Sequence, residues 1–124
     1  MARKKILMVD DEEAFSRIVK MNLEKTGKYE VRIENRGGAG YKAAKEFRPD
    51  LIFLDIVMPD VEGSEVALKI RSDKELEKIP IVFLTATVTM DEVGPSGKVI
   101  GGLKYLAKPV TAQQIMDCIE KETP

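Results

Sequence analysis

The sequence contains no histidine, and that single absence removes Ser-His-Asp and Cys-His catalysis together with every imidazole-based metal site. Any chemistry must come from carboxylates, hydroxyls, lysine and backbone. Cysteine is nearly absent as well: Cys118 stands alone, so no internal disulfide can form, which fits a reducing compartment. Its simplest reading is a small apolar residue on a helix face. Long hydrophobic runs are missing too. After the basic start at residues 1–5, only four apolar residues precede Asp10 and Asp11, too few for a signal-peptide core or a membrane span. A cytoplasmic location without membrane insertion is expected. Nor is there an excess of one charge: 20 basic residues face 21 acidic ones, which leaves no long-range field to draw the chain to nucleic acid or an anionic membrane. No direct nucleic-acid partner is expected.

What is present is enough apolar material for one core. With 124 residues, 44% of them hydrophobic, the chain reads as a single domain over residues 1–124. Short apolar runs alternate with longer segments of helical spacing, which argues for βα units around a mostly parallel sheet. Residues 6–9, 51–54 and 81–84 are uninterrupted apolar runs, the signature of strands buried on both faces. Tyr29, Val31 and Ile33 alternate with Glu30, Arg32 and Glu34, as in a strand nearer an edge. A weaker fifth strand is expected at residues 103–106.

Between these runs, Phe15, Ile18, Val19 and Leu23 form one helical stripe, Ala43, Ala44 and Phe47 a second, and Val66, Ala67 and Ile70 a third. Thr111 and Gln114 form a capping box ahead of Ile115, Cys118 and Ile119, marking the start of the last helix. Residues 87–102 contain Gly94, Pro95, Gly97, Gly101 and Gly102, which oppose a continuous helix, so a short or broken one is expected there.

The polar residues are informative by position. Asp10 and Asp11 follow the first strand, Asp55 the third, Thr85 the fourth and Lys108 the fifth. In an open α/β sheet, carboxyl ends share one edge, and ligands bind in the crevice where strand order reverses. Three carboxylates gathered there repel one another and lose hydration unless a cation is supplied. An all-oxygen donor set suits Mg²⁺ better than zinc, and Mg²⁺ also neutralises phosphoryl oxygens. The Thr85 hydroxyl and the Lys108 ammonium are placed to bind other oxygens of the same group. Taken singly, each residue has a simpler reading. Asp10 and Asp11 are good helix caps, Asp55 suits a turn after a strand, Thr85 suits a strand and Lys108 a solvated surface. The joint pattern outweighs those readings.

Four segments carry a resemblance: Lys5-Ile6-Leu7-Met8-Val9-Asp10-Asp11-Glu12; Asp50-Leu51-Ile52-Phe53-Leu54-Asp55-Ile56-Val57-Met58-Pro59 leading to Gly63; Pro80-Ile81-Val82-Phe83-Leu84-Thr85-Ala86; and Tyr105-Leu106-Ala107-Lys108-Pro109. In order and spacing, and over essentially the whole chain, they resemble the receiver domains of two-component response regulators, the CheY-like superfamily. The resemblance implies a flavodoxin-like, doubly wound, five-stranded parallel sheet of order 2-1-3-4-5 with helices on both faces. It implies that Asp55 is the phosphoacceptor and that Asp10, Asp11, Asp55 and the backbone carbonyl of Val57 hold Mg²⁺. Thr85 and Lys108 would contact the phosphoryl group, with Thr85 and Tyr105 as the switch pair. It also implies a cis Lys108-Pro109 bond and a phosphodonor on another chain, a histidine kinase or phosphotransfer protein. Phosphorylation would then alter surface shape for a downstream effector, the domain assisting its own phosphorylation and dephosphorylation while acting mainly as a signalling switch.

An apolar Val57 offers no side chain to orient water, so slow self-dephosphorylation is expected. The unusual stretch 87–102 leaves the mode of output open. No output domain follows Lys121, which fits either a stand-alone regulator or part of a longer protein. Two other classes compete. A pseudo-receiver would use the same fold as a phosphorylation-independent binding module but would not need Asp10, Asp11, Asp55, Thr85 and Lys108 together. An aspartyl-nucleophile phosphatase would carry a second acid where Val57 stands.

Overall fold

The structure, a computed structural model, describes residues 2–86, 98–100 and 103–124. Its strands are β1 (Lys4–Val9), β2 (Tyr29–Glu34), β3 (Leu51–Asp55), β4 (Ile81–Thr85), β5 (Lys98–Ile100) and β6 (Leu103–Ala107), and its helices are α1 (Glu13–Lys25), α2 (Gly40–Phe47), α3 (Gly63–Arg71) and α4 (Ala112–Glu122). The sheet order is β2-β1-β3-β4-β6-β5. Its five parallel strands follow the expected 2-1-3-4-5 order, with β6 as the fifth. The short β5 adds an antiparallel edge strand that the sequence reading did not include. The short or broken helix expected within residues 87–102 falls on residues that, apart from Lys98–Ile100 in β5, lie outside the described ones.

Strict alternation sorts the central strands onto two cores. Ile6, Met8, Leu51, Phe53, Val82 and Leu84 pack with Val19 and Leu23 of α1 and Ile115 and Ile119 of α4. On the other face, Leu7, Val9, Ile52, Leu54, Ile81 and Phe83 pack with Ala43 and Ala44 of α2 and Val66, Ala67 and Ile70 of α3. Each large side chain buried in this way contributes about 1.5–3 kcal/mol of transfer free energy, so continuous apolar runs settle in the centre of the sheet. One residue departs from its expected stripe. Ile18 is 58% exposed, because α1 turns Val19 and Leu23 inward and leaves Ile18 on its solvent side.

The helix ends fix where the site forms. α4 begins with the expected capping box, Thr111 Oγ1 accepting from the Gln114 amide at 3.1 Å and Gln114 Oε1 accepting from the Thr111 amide at 2.8 Å. α1 begins differently: Glu12 occupies the cap position without a side-chain cap bond. Asp10 Oδ1 accepts from the Glu12 amide at 2.9 Å, so the acids before α1 are not conventional caps. At α3, the Gly63 amide donates to the Ile56 carbonyl at 2.7 Å, and a Cβ on Gly63 would come within 2.1 Å of the Asp55 carbonyl oxygen. Only glycine fits that approach.

Candidate functional site

Strand register brings the predicted polar residues together. Val9 pairs with Leu54, so Asp10 and Asp55 occupy adjacent positions across β1 and β3. Asp55 pairs with Leu84, and Thr85 with Ala107, which places Thr85 and Lys108 one step further round the same edge. Among the described residues, the buried polar or charged ones are Asp10, Ser16, Asp55 and Thr85. Three of these four belong to the predicted site, and the fourth, Ser16, adjoins it through Asn35. Burying carboxylates is costly unless they are paired, so their convergence here marks a site in place of ordinary packing.

One carboxylate oxygen from each of Asp10, Asp11 and Asp55 lies within 4.8 Å of the other two. Lys108 Nζ is 2.8 Å from Asp10 Oδ2 and 3.6 Å from Asp55 Oδ2, and it also pairs with Glu12. The contact to Asp10 Oδ2 is an ion pair without hydrogen-bond geometry, and that buried oxygen has no hydrogen-bond partner. The Lys108 ammonium also lies 5.0 Å from the Phe15 ring centroid, a cation–π contact on its apolar side. Burial raises the Asp10 carboxyl above its ordinary range despite the opposing pull of Lys108. Burial, followed by the charge of Asp10, pushes Asp55 up to about 6. Burial works to lower Lys108, but its Asp10 and Glu12 partners outweigh this and hold the ammonium above its usual range.

These features fit a hard divalent cation: oxygen donors only, three carboxylates facing one ammonium, and acids that resist ionising together. Val57 donates its amide to Asp55 Oδ1 at 3.3 Å, while its side chain is exposed. Thr85 is fully buried, and its carbonyl accepts from the Lys108 amide at 2.8 Å. The Lys108-Pro109 bond is cis, as the resemblance implied. Tyr105 is half-buried and stacks on Phe83, with ring centroids 5.4 Å apart.

Sequence reasoning assigned no place in the site to Glu12, Phe15, Asn35 or Asp60. Glu12 and Phe15 hold Lys108, and Asn35 Nδ2 donates to the Asp10 carbonyl at 2.7 Å. Glu12 had a signal in its place directly after the acidic pair. Asn35 and Asp60 had none, since each acts across loops distant in sequence.

A doubly wound α/β sheet that gathers three carboxylates and a lysine at its carboxyl edge defines a class of domain with one acidic site at the strand ends. The comparisons narrow the class. Residues 6–120 match the response regulator receiver domain, and the chain belongs to that family. Protein PilH of Pseudomonas aeruginosa is 33% identical over 115 residues, covering 93% of this chain and 93% of that protein. The alkaline phosphatase synthesis transcriptional regulatory protein PhoP of Bacillus subtilis is 37% identical over 113 residues, covering 90% of this chain and 45% of that protein. The chain spans about half the length of such transcriptional regulators. Among solved structures, the chemotaxis response regulator CheY4 of Vibrio cholerae superposes with a TM-score of 0.81 at 26% identity, over 98% of this chain and 99% of that one. The chain is thus a receiver domain of the two-component response regulators. Among the described residues, no helix is long and apolar enough to cross a membrane.

Proposed function

We propose that the domain accepts a phosphoryl group on Asp55 and converts its presence into a change of surface. The observation that carries this reading is the gathering of Asp10, Asp11 and Asp55 around one point, with the Lys108 ammonium against two of them. Asp55 supplies the carboxylate oxygen that bonds to phosphorus as the bond to the donor breaks, and the donor keeps that electron pair. The given sequence has no histidine, so a phosphohistidine donor lies outside it, on a histidine kinase or phosphotransfer protein. Asp10, Asp11, Asp55 and the Val57 carbonyl would hold Mg²⁺. When bound, the ion neutralises the charge on phosphoryl oxygens.

The chain's own groups do the rest. Lys108, freed from part of its pairing with Asp10 and Glu12, offers its ammonium to a phosphoryl oxygen. Thr85, one strand away, offers a hydroxyl, and its movement would let Tyr105 shift on the Phe83 ring as the switch pair. Exposed, apolar Val57 orients no water, which favours a long-lived phosphoryl group. The output is passed to an effector protein in the cytoplasm, and the transcriptional regulators among the relatives suggest control of gene expression through a further domain. A phosphorylation-independent binding module has no use for three carboxylates gathered at one point, two of them buried. Intact-mass measurement after incubation with acetyl phosphate and MgCl₂ tests the reading. One phosphoryl increment is expected on the parent and none on Asp55→Asn; an equal increment on both sinks it.

A further inference from the structure

One loop beside the acidic pocket ties two of its walls together. Between β2 and α2, Asn35 Nδ2 donates to the Asp10 carbonyl at 2.7 Å and to Ser16 Oγ at 3.0 Å. Two and three residues further on, the Gly37 and Gly38 amides donate to Asp60 Oδ1 at 3.1 Å and Oδ2 at 2.8 Å. Asp60 lies in the loop between β3 and α3, the same loop that starts at Asp55 and carries Val57. Residues 35–38 therefore connect the backbone of Asp10 to the loop that follows Asp55.

The contact is close and directional. A Cβ on Gly37 would come 2.5 Å from Val61 Cγ1 and 2.9 Å from Met58 Cε, so the two loops pack without room for a side chain between them. Asp60 is itself exposed, so its carboxylate is fixed by two convergent amides and not by burial. Those amides, Gly38 foremost, hold the Asp60 carboxyl below its ordinary range. The far end of the loop is closed by the Gly63 amide on the Ile56 carbonyl at 2.7 Å. The backbone at Val57 is thus restrained from both ends.

We propose that Asp60 is a positioning residue for the acidic pocket: by clasping the Gly37 and Gly38 amides it fixes the backbone at Val57 relative to Asp10. This rests on the reading of the pocket as a Mg²⁺ site. Asp60 touches neither the ion nor the phosphoryl group and acts only through the loop it anchors. Losing the clasp frees the loop before the sheet, so Mg²⁺ affinity falls further than metal-free stability.

Calorimetric titration of MgCl₂ into the full chain, paired with melting curves in EDTA, tests this. Asp60→Ala should bind Mg²⁺ about tenfold more weakly, the lower end of what residues supporting metal ligands contribute. Asp60→Asn, which keeps one acceptor oxygen, should fall between Asp60→Ala and the parent. Gly38→Ala places a Cβ 3.2 Å from Asp60 Oδ2 and should weaken binding through the same contact, adding little once Asp60 is alanine. Affinity of Asp60→Ala within twofold of the parent, or losses that add in full in the double variant, would overturn the proposal. A parent that takes up no Mg²⁺ removes the metal reading and this proposal together; a parent that binds while Asp60→Ala binds equally removes this proposal alone.

Discussion

Lys108 Nζ lies 2.8 Å from Asp10 Oδ2 without completing a hydrogen bond to it. The same ammonium faces Asp55 Oδ2 at 3.6 Å and pairs with Glu12, so one cation stands against several acids. The pocket is left short of positive charge, and that shortage is what a bound cation would relieve.

Removing the ammonium should leave a folded domain, because Lys108 sits beyond the last residue of β6 and not in either apolar core. Lys108→Ala strands Asp10 and Asp55 without their cation, and breaking a buried pair costs about 3–5 kcal/mol when the remaining charge cannot be neutralised. Here both acids can protonate, so the loss should be largest near pH 8 and shrink towards pH 5. Chemical denaturation at both values measures it. On phosphorylation, the variant should lose the spectral change shown by the parent; a normal change would refute the role given to Lys108.

Asp55 gives a second pH signature. Its folded value of about 6 lies above the ordinary 3.8, so the folded state holds a proton that the unfolded state has released between those values. The sign follows: metal-free stability falls as pH rises through that window, by roughly 1.5–3 kcal/mol for this one group. Asp55→Asn removes the penalty. In EDTA it should be more stable than the parent at pH 7.5 by roughly that amount, with the advantage gone near pH 4. Equal stability at pH 7.5 would show that Asp55 is not desolvated as the geometry requires. Mg²⁺ needs the ionised form, so its affinity for the parent should fall as pH drops below about 6.

The sheet was readable because residues 6–9, 51–54 and 81–84 are apolar without interruption, a pattern that only strands covered on both faces need. Asp10, Asp55 and Thr85 were readable because each directly follows such a run, and Lys108 because it comes after the weaker fifth strand; parallel register turns that into proximity. Ile18 was misplaced because a 3.6-residue stripe is wider than the face α1 buries. β5 was missed because its three residues are too short for any period to register; the available cue was the Gly101-Gly102 pair between two apolar runs. Asn35 and Asp60 could not be found, since their partners lie 25 and 22 residues away and nothing local in their spacing points to them.

Mg²⁺ should stabilise the fold by linkage. At a concentration one hundred times its dissociation constant, a ligand bound only by the folded state adds about 2.7 kcal/mol, which in a domain of this size raises the melting temperature by roughly 10 °C. Asp11→Ala should abolish the rise while leaving metal-free melting nearly unchanged, because Asp11 is only half-buried. A variant that keeps the full Mg²⁺-dependent rise would exclude Asp11 as a ligand.

Gly63→Ala tests whether the fold and the site share one backbone constraint. The added Cβ would lie 2.1 Å from the Asp55 carbonyl oxygen and 2.9 Å from Ile56 Cα. Both are backbone atoms that cannot rotate aside, so relief requires α3 and the end of β3 to separate. That movement lengthens the bond from the Gly63 amide to the Ile56 carbonyl and loosens Val66, Ala67 and Ile70 in their core. Overpacking of this kind costs about 1–3 kcal/mol or more, enough to lower the melting temperature by roughly 4–12 °C. The strain falls on Asp55 itself, so phosphorylation by acetyl phosphate should slow under conditions where the variant remains fully folded. Thr111→Ala is the control: it removes the α4 capping bond at 3.1 Å, costs about 1 kcal/mol and lies outside the loop that carries Asp55. If the two variants, compared while both are folded, accept phosphate equally fast, the close approach at Gly63 serves the fold alone and does not set the position of Asp55.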